Sequence, residues 1–299
     1  MNAPKLSSSR APDILKALEG LQKHFHENIK YHVSLTYTQI VFGQVKLAGL
    51  INEDEKFTWT KGPASGSPLP GDVQNFINQV VLPYYFELFQ EETNREVIER
   101  VLENMCDLTD DFGPAVFNDR IEQIVKFIIM FLEKKTFCQS GEFQGEAGNE
   151  LEDVEENPED DSEEEEEEDD GIDHDKLIFG NVTDLIISLT RAYGNEFTQA
   201  LTVLIPQVVL YTSDKHPLSD KSMAIGCLAE VFAAAEGVIP TYFNDYLPLL
   251  EKFSTTNDVK MNRHVAYSIG VLAQHAPLLF RPHVNSGIVL LQKLHSNCE

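Results

Sequence analysis

Eighteen of the 49 acidic residues in this 299-residue chain fall between Glu150 and Asp175, a stretch without one Lys or Arg. Its densest part runs Glu159, Asp160, Asp161, Ser162, Glu163, Glu164, Glu165, Glu166, Glu167, Glu168, Asp169, Asp170. Carboxylates packed this closely repel one another and have nothing to bury, so the run is expected to be a disordered loop. The chemistry open to it is electrostatic. It can draw in a basic partner, occupy basic pockets of its own protein, or keep the chain soluble. The eleven carboxylates are the candidate cargo-binding residues. Ser162, followed by Glu163–Glu165, has the surroundings of an acidophilic-kinase site and is the candidate phosphorylation site.

Other chemistry is sparse. The sequence contains no phosphate-binding Gly-rich loop, no nucleophile-elbow Ser, no His-Glu-x-x-His zinc helix and no calcium loop. The nine histidines are scattered, and His24 and His26 point to different helix faces. His264 and His275 lie near expected helix ends, where surface placement is the ordinary explanation. No metal, cofactor or catalytic residue is assigned. Cys106, Cys138, Cys227 and Cys298 form no C-x-x-C pair, and Cys106 and Cys227 lie in apolar helical patterns as buried thiols of a reducing compartment. Of the net charge of −26, residues outside 150–175 account for only about −8. No basic stripe offers phosphate a landing place, so no direct nucleic-acid partner is expected. No signal core and no run of transmembrane length appear, which places the expected protein in cytoplasm and nucleus, away from membranes.

What positions the acidic run is a repeat. Ile225-Gly-Cys-Leu-Ala-Glu230 returns as Ile269-Gly-Val-Leu-Ala-Gln274, and Leu249-Leu-Glu-Lys-Phe253 as Leu290-Leu-Gln-Lys-Leu294. Phe117-Asn-Asp119 recurs as Phe243-Asn-Asp245, and Pro83, Pro206 and Pro248 each follow an aliphatic residue inside a helical pattern. All these separations are one or more steps of about 41–44 residues, the period of HEAT and armadillo arrays. The fold class expected is all-α: a HEAT-repeat α-solenoid, a superhelix of antiparallel helix pairs, with a disordered acidic loop inside one repeat. In the stretch 239–291, Tyr242, Phe243, Tyr246, Leu249, Leu250 and Phe253 form one apolar stripe. Val265, Tyr267, Ile269, Leu272 and Ala276 form the next, with Ala266, Gly270 and Ala273 as places for close helix packing.

In chain order, residues 1–135 are expected to be HEAT repeats with a Pro/Gly-rich loop at about 52–71, to which Trp59 is the aromatic anchor. Asp72 is the expected N-cap of the helix after it. Residues 136–176 form the acidic insertion, since the partner of the helix 114–135 is delayed until Leu177–Tyr193. Residues 177–299 complete the HEAT repeats. The last is incomplete, which suggests a fragment of a longer array.

Four passages carry a resemblance: Trp59-Thr-Lys-Gly62 with Pro68-Leu-Pro70; the acidic run 152–170; Asp220-Lys-Ser-Met-Ala-Ile-Gly-Cys-Leu-Ala-Glu230; and Ser268-Ile-Gly-Val-Leu-Ala-Gln-His275. In this order they resemble the C-terminal half of importin-β (karyopherin-β) nuclear transport receptors of the importin-4 type. The resemblance implies a non-enzymatic, cargo-binding portion of an import receptor for basic proteins such as ribosomal proteins and histones. It further implies FG nucleoporins and Ran as partners, although the N-terminal Ran-binding repeats have no counterpart in this chain. Two other readings fit the residues: a HEAT scaffold of the phosphatase-subunit kind, and an acidic histone chaperone.

Overall fold

The computed structural model describes residues 13–47, 69–140 and 163–296. Among them every regular element is a helix, and the helices pair as HEAT repeats do. Short α1 (residues 13–21) precedes α2 (Glu27–Leu47). The next pair is a composite first helix, α3 (Gly71–Phe76) running through a π turn (Ile77–Val81) into α4 (Leu82–Glu91), with α5 (Arg95–Phe112). Then come α6 (Ile121–Leu132), a four-residue α7 (Phe137–Ser140) and the long α8 (Glu163–Tyr193). Two further pairs are α9 (Thr198–Leu210) with α10 (Leu218–Ala234), and α11 (Ile239–Phe253) with α12 (Val259–His275). Short α13 (Pro277–Phe280) leads into α14 (Val284–Ser296). The Trp59 loop lies outside the described residues.

The described chain divides into two compact units. One holds the residues up to Asp111 together with the described part of Met130–Val182; the other holds Phe112–Ile129 and the residues from Thr183 on.

In the first unit the π turn has a local cause. Pro83 has no N–H to give and its ring crowds the carbonyl four residues back; the five-residue π turn immediately upstream relaxes the helix around it. The detour sets Tyr85 wholly inside, where its hydroxyl donates to the Ser34 carbonyl at 2.9 Å and lies 2.6 Å from Thr38 Oγ1. Phe89 and Phe131 meet edge to face at 5.0 Å, and Tyr37, Ile98, Leu102 and Met105 are also fully buried. Each such side chain stabilises the unit by roughly 1.5–3 kcal/mol through lost apolar exposure. Buried Glu92 links the pairs: its Oε2 takes the Lys30 ammonium at 2.5 Å, while its Oε1 accepts from the backbone N–H of Thr93 and Asn94. Asp72 is not the N-cap. Pro70 holds that position without a side-chain bond, its fixed extended φ/ψ already setting the helix entry, and Asp72 falls in the first turn.

The second unit shows the period directly. Gly237 N–H donates to Asn195 Oδ1, 42 residues away, and Tyr242 OH to the Thr202 carbonyl, 40 away. Arg191 pairs with Glu230, 39 away, and Lys252 with Asp214, 38 away. Exposed ion pairs of this kind add little stability. Their value is as a register mark, since each joins a residue to a position one repeat on. The packing beneath them is apolar, with Leu201, Leu204, Ile225, Leu228, Leu250 and Leu272 almost wholly buried.

Three expectations about α12 need correction. Tyr267 is 44% exposed, because the core line of this helix is Met261, Val265, Ile269 and Leu272. Gly270 meets nothing, and the close packing occurs at Gly226 of α10: a Cβ there would stand 2.7 Å from the His264 ring. His264 is accordingly half-buried between two helices and not a surface residue.

Candidate functional site

Of the residues singled out for basic-partner binding, Glu159, Asp160, Asp161 and the phosphorylation candidate Ser162 lie outside the described residues. Glu163, Glu164, Glu165, Glu166, Glu167, Glu168, Asp169 and Asp170 fall within the described residues. They are the first two turns of α8, and Phe137–Ser140 at the other end of the insertion is also helical. The physical reason is propensity: the straight-chain Glu side chain loses little freedom in a helix. The helix they begin is then anchored by its later turns, where Ile178, Val182, Leu185, Ile186 and Leu189 are buried in a 3–4 spaced stripe.

A second acidic feature lies on α5. Glu96, Glu99, Glu103, Asp107 and Asp110 recur at steps of three and four along α5, which places them on one helix face opposite buried Val97, Val101 and Leu108. Arg100 lies among them, paired with Glu103 at 2.8 Å and stacked 4.7 Å over the Tyr31 ring, whose hydroxyl it also contacts. Partial burial pushes the Asp107 carboxyl above the ordinary carboxylate value; Arg100 opposes that rise and Asp110 adds to it. The 3–4 spacing of the acids is the signal that the sequence carries for this face.

The third feature is an open groove of about 740 Å³ in the second unit, between the first turns of α6 and the start of α9. Its construction begins at Gly194, whose φ of +58° lets α8 stop and the chain turn at once into the 3-10 segment Gly194–Phe197. That turn stacks the Tyr193 and Phe197 rings at 5.7 Å, and Tyr193 is fixed by donating its hydroxyl to the Pro114 carbonyl at 3.1 Å. Burial, and then Asp119, push the Tyr193 phenol well above its usual range, so it stays a neutral donor. Ile121, Val125, Phe197 and Ala200 give the groove an apolar bed, Val203 is 46% exposed at its edge, and Glu122, Lys126 and Glu196 stand at the rim. Such a groove can accept a flat apolar side chain from an extended peptide.

Among the described residues no group of three or more His, Cys, Asp or Glu side chains could hold a metal ion, and no single helix is long and apolar enough to cross a membrane. Cys227 is buried, with its thiol pushed far above the ordinary value by desolvation.

No protein-family model matches the chain. Over 216 residues, 72% of the chain, it is 27% identical to the probable importin subunit beta-4 of Schizosaccharomyces pombe, covering 19% of that protein. Over 198 residues, 65% of the chain, it is 25% identical to human Importin-4, covering 17% of it; for mouse Importin-4 the values are 23% over 217 residues, 72% and 18%. The chain thus spans less than a fifth of the length of the curated relatives it matches. Among solved structures, an engineered protein aligns over 95% of this chain and 97% of its own with a TM-score of 0.48 and 12% identity, too slight a likeness to carry an argument. Helix pairs in HEAT register, with matches of 23–27% identity over about 70% of the sequence, make this chain a relative of the importin-4-type proteins of the importin-β family.

Proposed function

We propose that this chain is a cargo-binding portion of an importin-4-like nuclear import receptor and that it acts by binding, without catalysis. The observation that carries this reading is the acidic run inside one repeat of a HEAT array related to import receptors. Its cargo is a basic protein of the ribosomal-protein or histone kind, whose Lys and Arg side chains meet Glu159–Asp161 and Glu163–Asp170. The acidic face of α5 supports the same chemistry on a second helix. The groove lined by Val125, Phe197 and Val203 supports the pore-side contact, since a phenylalanine ring of an FG nucleoporin has the shape it would take. Ran enters as a partner by relationship to the family. A protein of this kind divides its time between cytoplasm and nucleus.

The test is a titration of a fluorescent histone-tail peptide into the chain and into a variant with Glu163–Glu168 changed to Gln, at low and at physiological salt. Screening acts over about 8 Å at physiological ionic strength, so carboxylates that grip the cargo lose strength steeply as salt rises. Weaker binding by the Gln variant and a steep salt slope are expected. Tighter binding would mean that the run occupies its own receptor, and equal affinity at low salt would remove the acidic run from the cargo role.

A further inference from the structure

In the first unit, the turn from α1 into α2 and the last turns of α4 enclose a pocket of about 220 Å³. Its walls come from two successive helix pairs, so it is a joint inside the array and not an end of it. The turn is held by its own hydrogen bonds. His24 N–H donates to the Leu21 carbonyl at 3.0 Å, and His26 N–H donates to His24 Nδ1 at 3.1 Å. So fixed, the turn stacks the His24 ring on the Phe25 ring at 4.5 Å and leaves Phe25 87% exposed at the pocket's edge. A ring presented on a turn tied this firmly is organised for contact before any partner arrives. Buried Tyr84 and Leu88 form the floor, and Tyr84 packs edge-on against Tyr37 at 5.6 Å.

Five charged side chains line the pocket: Lys23, Lys30, Glu87, Glu91 and Glu92. Lys30 is engaged by buried Glu92 at 2.5 Å. Lys23 reaches Glu87 at 3.3 Å but is 82% exposed, and an ion pair so open to water holds weakly. Glu91, one turn beyond Glu87 on α4, has no ion-pair partner among the described residues. Neighbouring charges leave this acidic balance as it is. Arg95 turns its Nε to the Cys138 carbonyl at 3.0 Å, and His26 faces Glu27 at 3.5 Å. The pocket therefore offers a carboxylate wall beside an open aromatic ring. An ammonium could meet Glu91, but only a flat guanidinium can also lie on the Phe25 ring while forking toward Glu87. We propose that this pocket takes an arginine side chain of a partner protein, stacked on Phe25 and paired with Glu91 and Glu87, with Lys23 displaced into water. The acidic run attracts Lys and Arg alike. This pocket selects between them, and it stands whether or not the run binds cargo.

The test uses the whole chain with isotope-labelled Phe and Tyr rings, at physiological salt, and NMR titration of capped peptides Gly-Gly-X-Gly-Gly. X is arginine, lysine or citrulline, which keeps the shape of arginine without its charge. The arginine peptide should shift the Phe25 and Tyr84 signals saturably and bind at least about fivefold tighter than the lysine peptide. The citrulline peptide should not bind. Phe25, Glu91 and Lys23 are exposed, so their substitution should leave the circular dichroism spectrum unchanged. Read at Tyr84, Phe25→Leu should erase the preference for arginine, Glu91→Gln should weaken arginine binding, and Lys23→Gln should strengthen it. Changing Glu163–Glu168 to Gln should leave the Tyr84 shifts as they are, which separates this pocket from the acidic run. Equal binding of arginine and lysine, binding of citrulline as tight as that of arginine, or no saturable shift with any peptide would overturn the proposal. So would arginine binding indifferent to Phe25→Leu and Glu91→Gln, or lost when Glu163–Glu168 are changed to Gln.

Discussion

The Tyr246 hydroxyl lies 2.7 Å from Ser268 Oγ, and 3.1 Å from the Ile225 carbonyl on the opposite side. One phenol on α11 thereby touches both α10 and α12, the second helices of successive pairs. Ser268 Oγ also reaches the His264 carbonyl at 2.6 Å, so the hydroxyl pair is tied into the helix beside the Gly226 seat. Tyr246→Phe keeps the ring, which packs edge to face on Phe232 at 4.9 Å, and removes only the hydrogen bonds. The expected cost is about 1–2 kcal/mol, measured by urea unfolding. A loss below a few tenths of a kcal/mol would mean that the bridge is incidental to stability.

Gly226 and Gly270 are equivalent in sequence and opposite in surroundings, so the same substitution should act with opposite sign. Gly226→Ala drives a methyl to 2.7 Å from the His264 ring and should destabilise by roughly 1–3 kcal/mol. Gly270→Ala meets open space and should stabilise α12 by up to about 1 kcal/mol through helix propensity. Thermal unfolding of the two variants side by side decides the matter.

Acid should loosen the same joint. Desolvation lowers the His264 pKa below 6.5; Asp258 and Glu230 oppose this and Lys260 adds to it. In the window from 6.5 down to the lowered value the unfolded chain holds a proton that the folded chain refuses. The stability associated with neutral His264 is thus complete above that window and falls as pH drops through it. A His264→Gln variant should lack this part of the pH dependence. Parallel curves for the two proteins on both sides of 6.5 would show that His264 makes no contribution.

The groove offers a substitution that leaves the fold alone. Val203 is 46% exposed at the groove edge, so Val203→Glu should change stability by no more than about 0.5 kcal/mol. It places a charge beside the apolar bed and should markedly reduce binding of a Phe-Gly repeat peptide, as read by NMR shifts at Phe197 and Ala200. Undiminished binding would move that contact elsewhere on the chain.

Much of this molecule is legible before folding. The spacing of Ile225-Gly-Cys-Leu-Ala-Glu230 and its copy announces the period, because a helix pair that cannot bury its own apolar faces must be followed by another like it. Contacts such as Gly237 to Asn195, 42 residues apart, are that period in space. Helix identity in 239–291 is equally local, since it rests on apolar steps of three and four. Three matters were decided only by tertiary packing. Gly226 and Gly270 read alike in one dimension, and only the position of His264 separates a filled seat from an open one. The groove depends on the left-handed turn at Gly194, which brings Phe197 beside Val125 of a helix some seventy residues earlier. The extent of α8 is the third: repulsion along Glu163–Asp170 is visible in the sequence, whereas the buried stripe from Ile178 to Leu189 that anchors the helix acts only once the chain is packed.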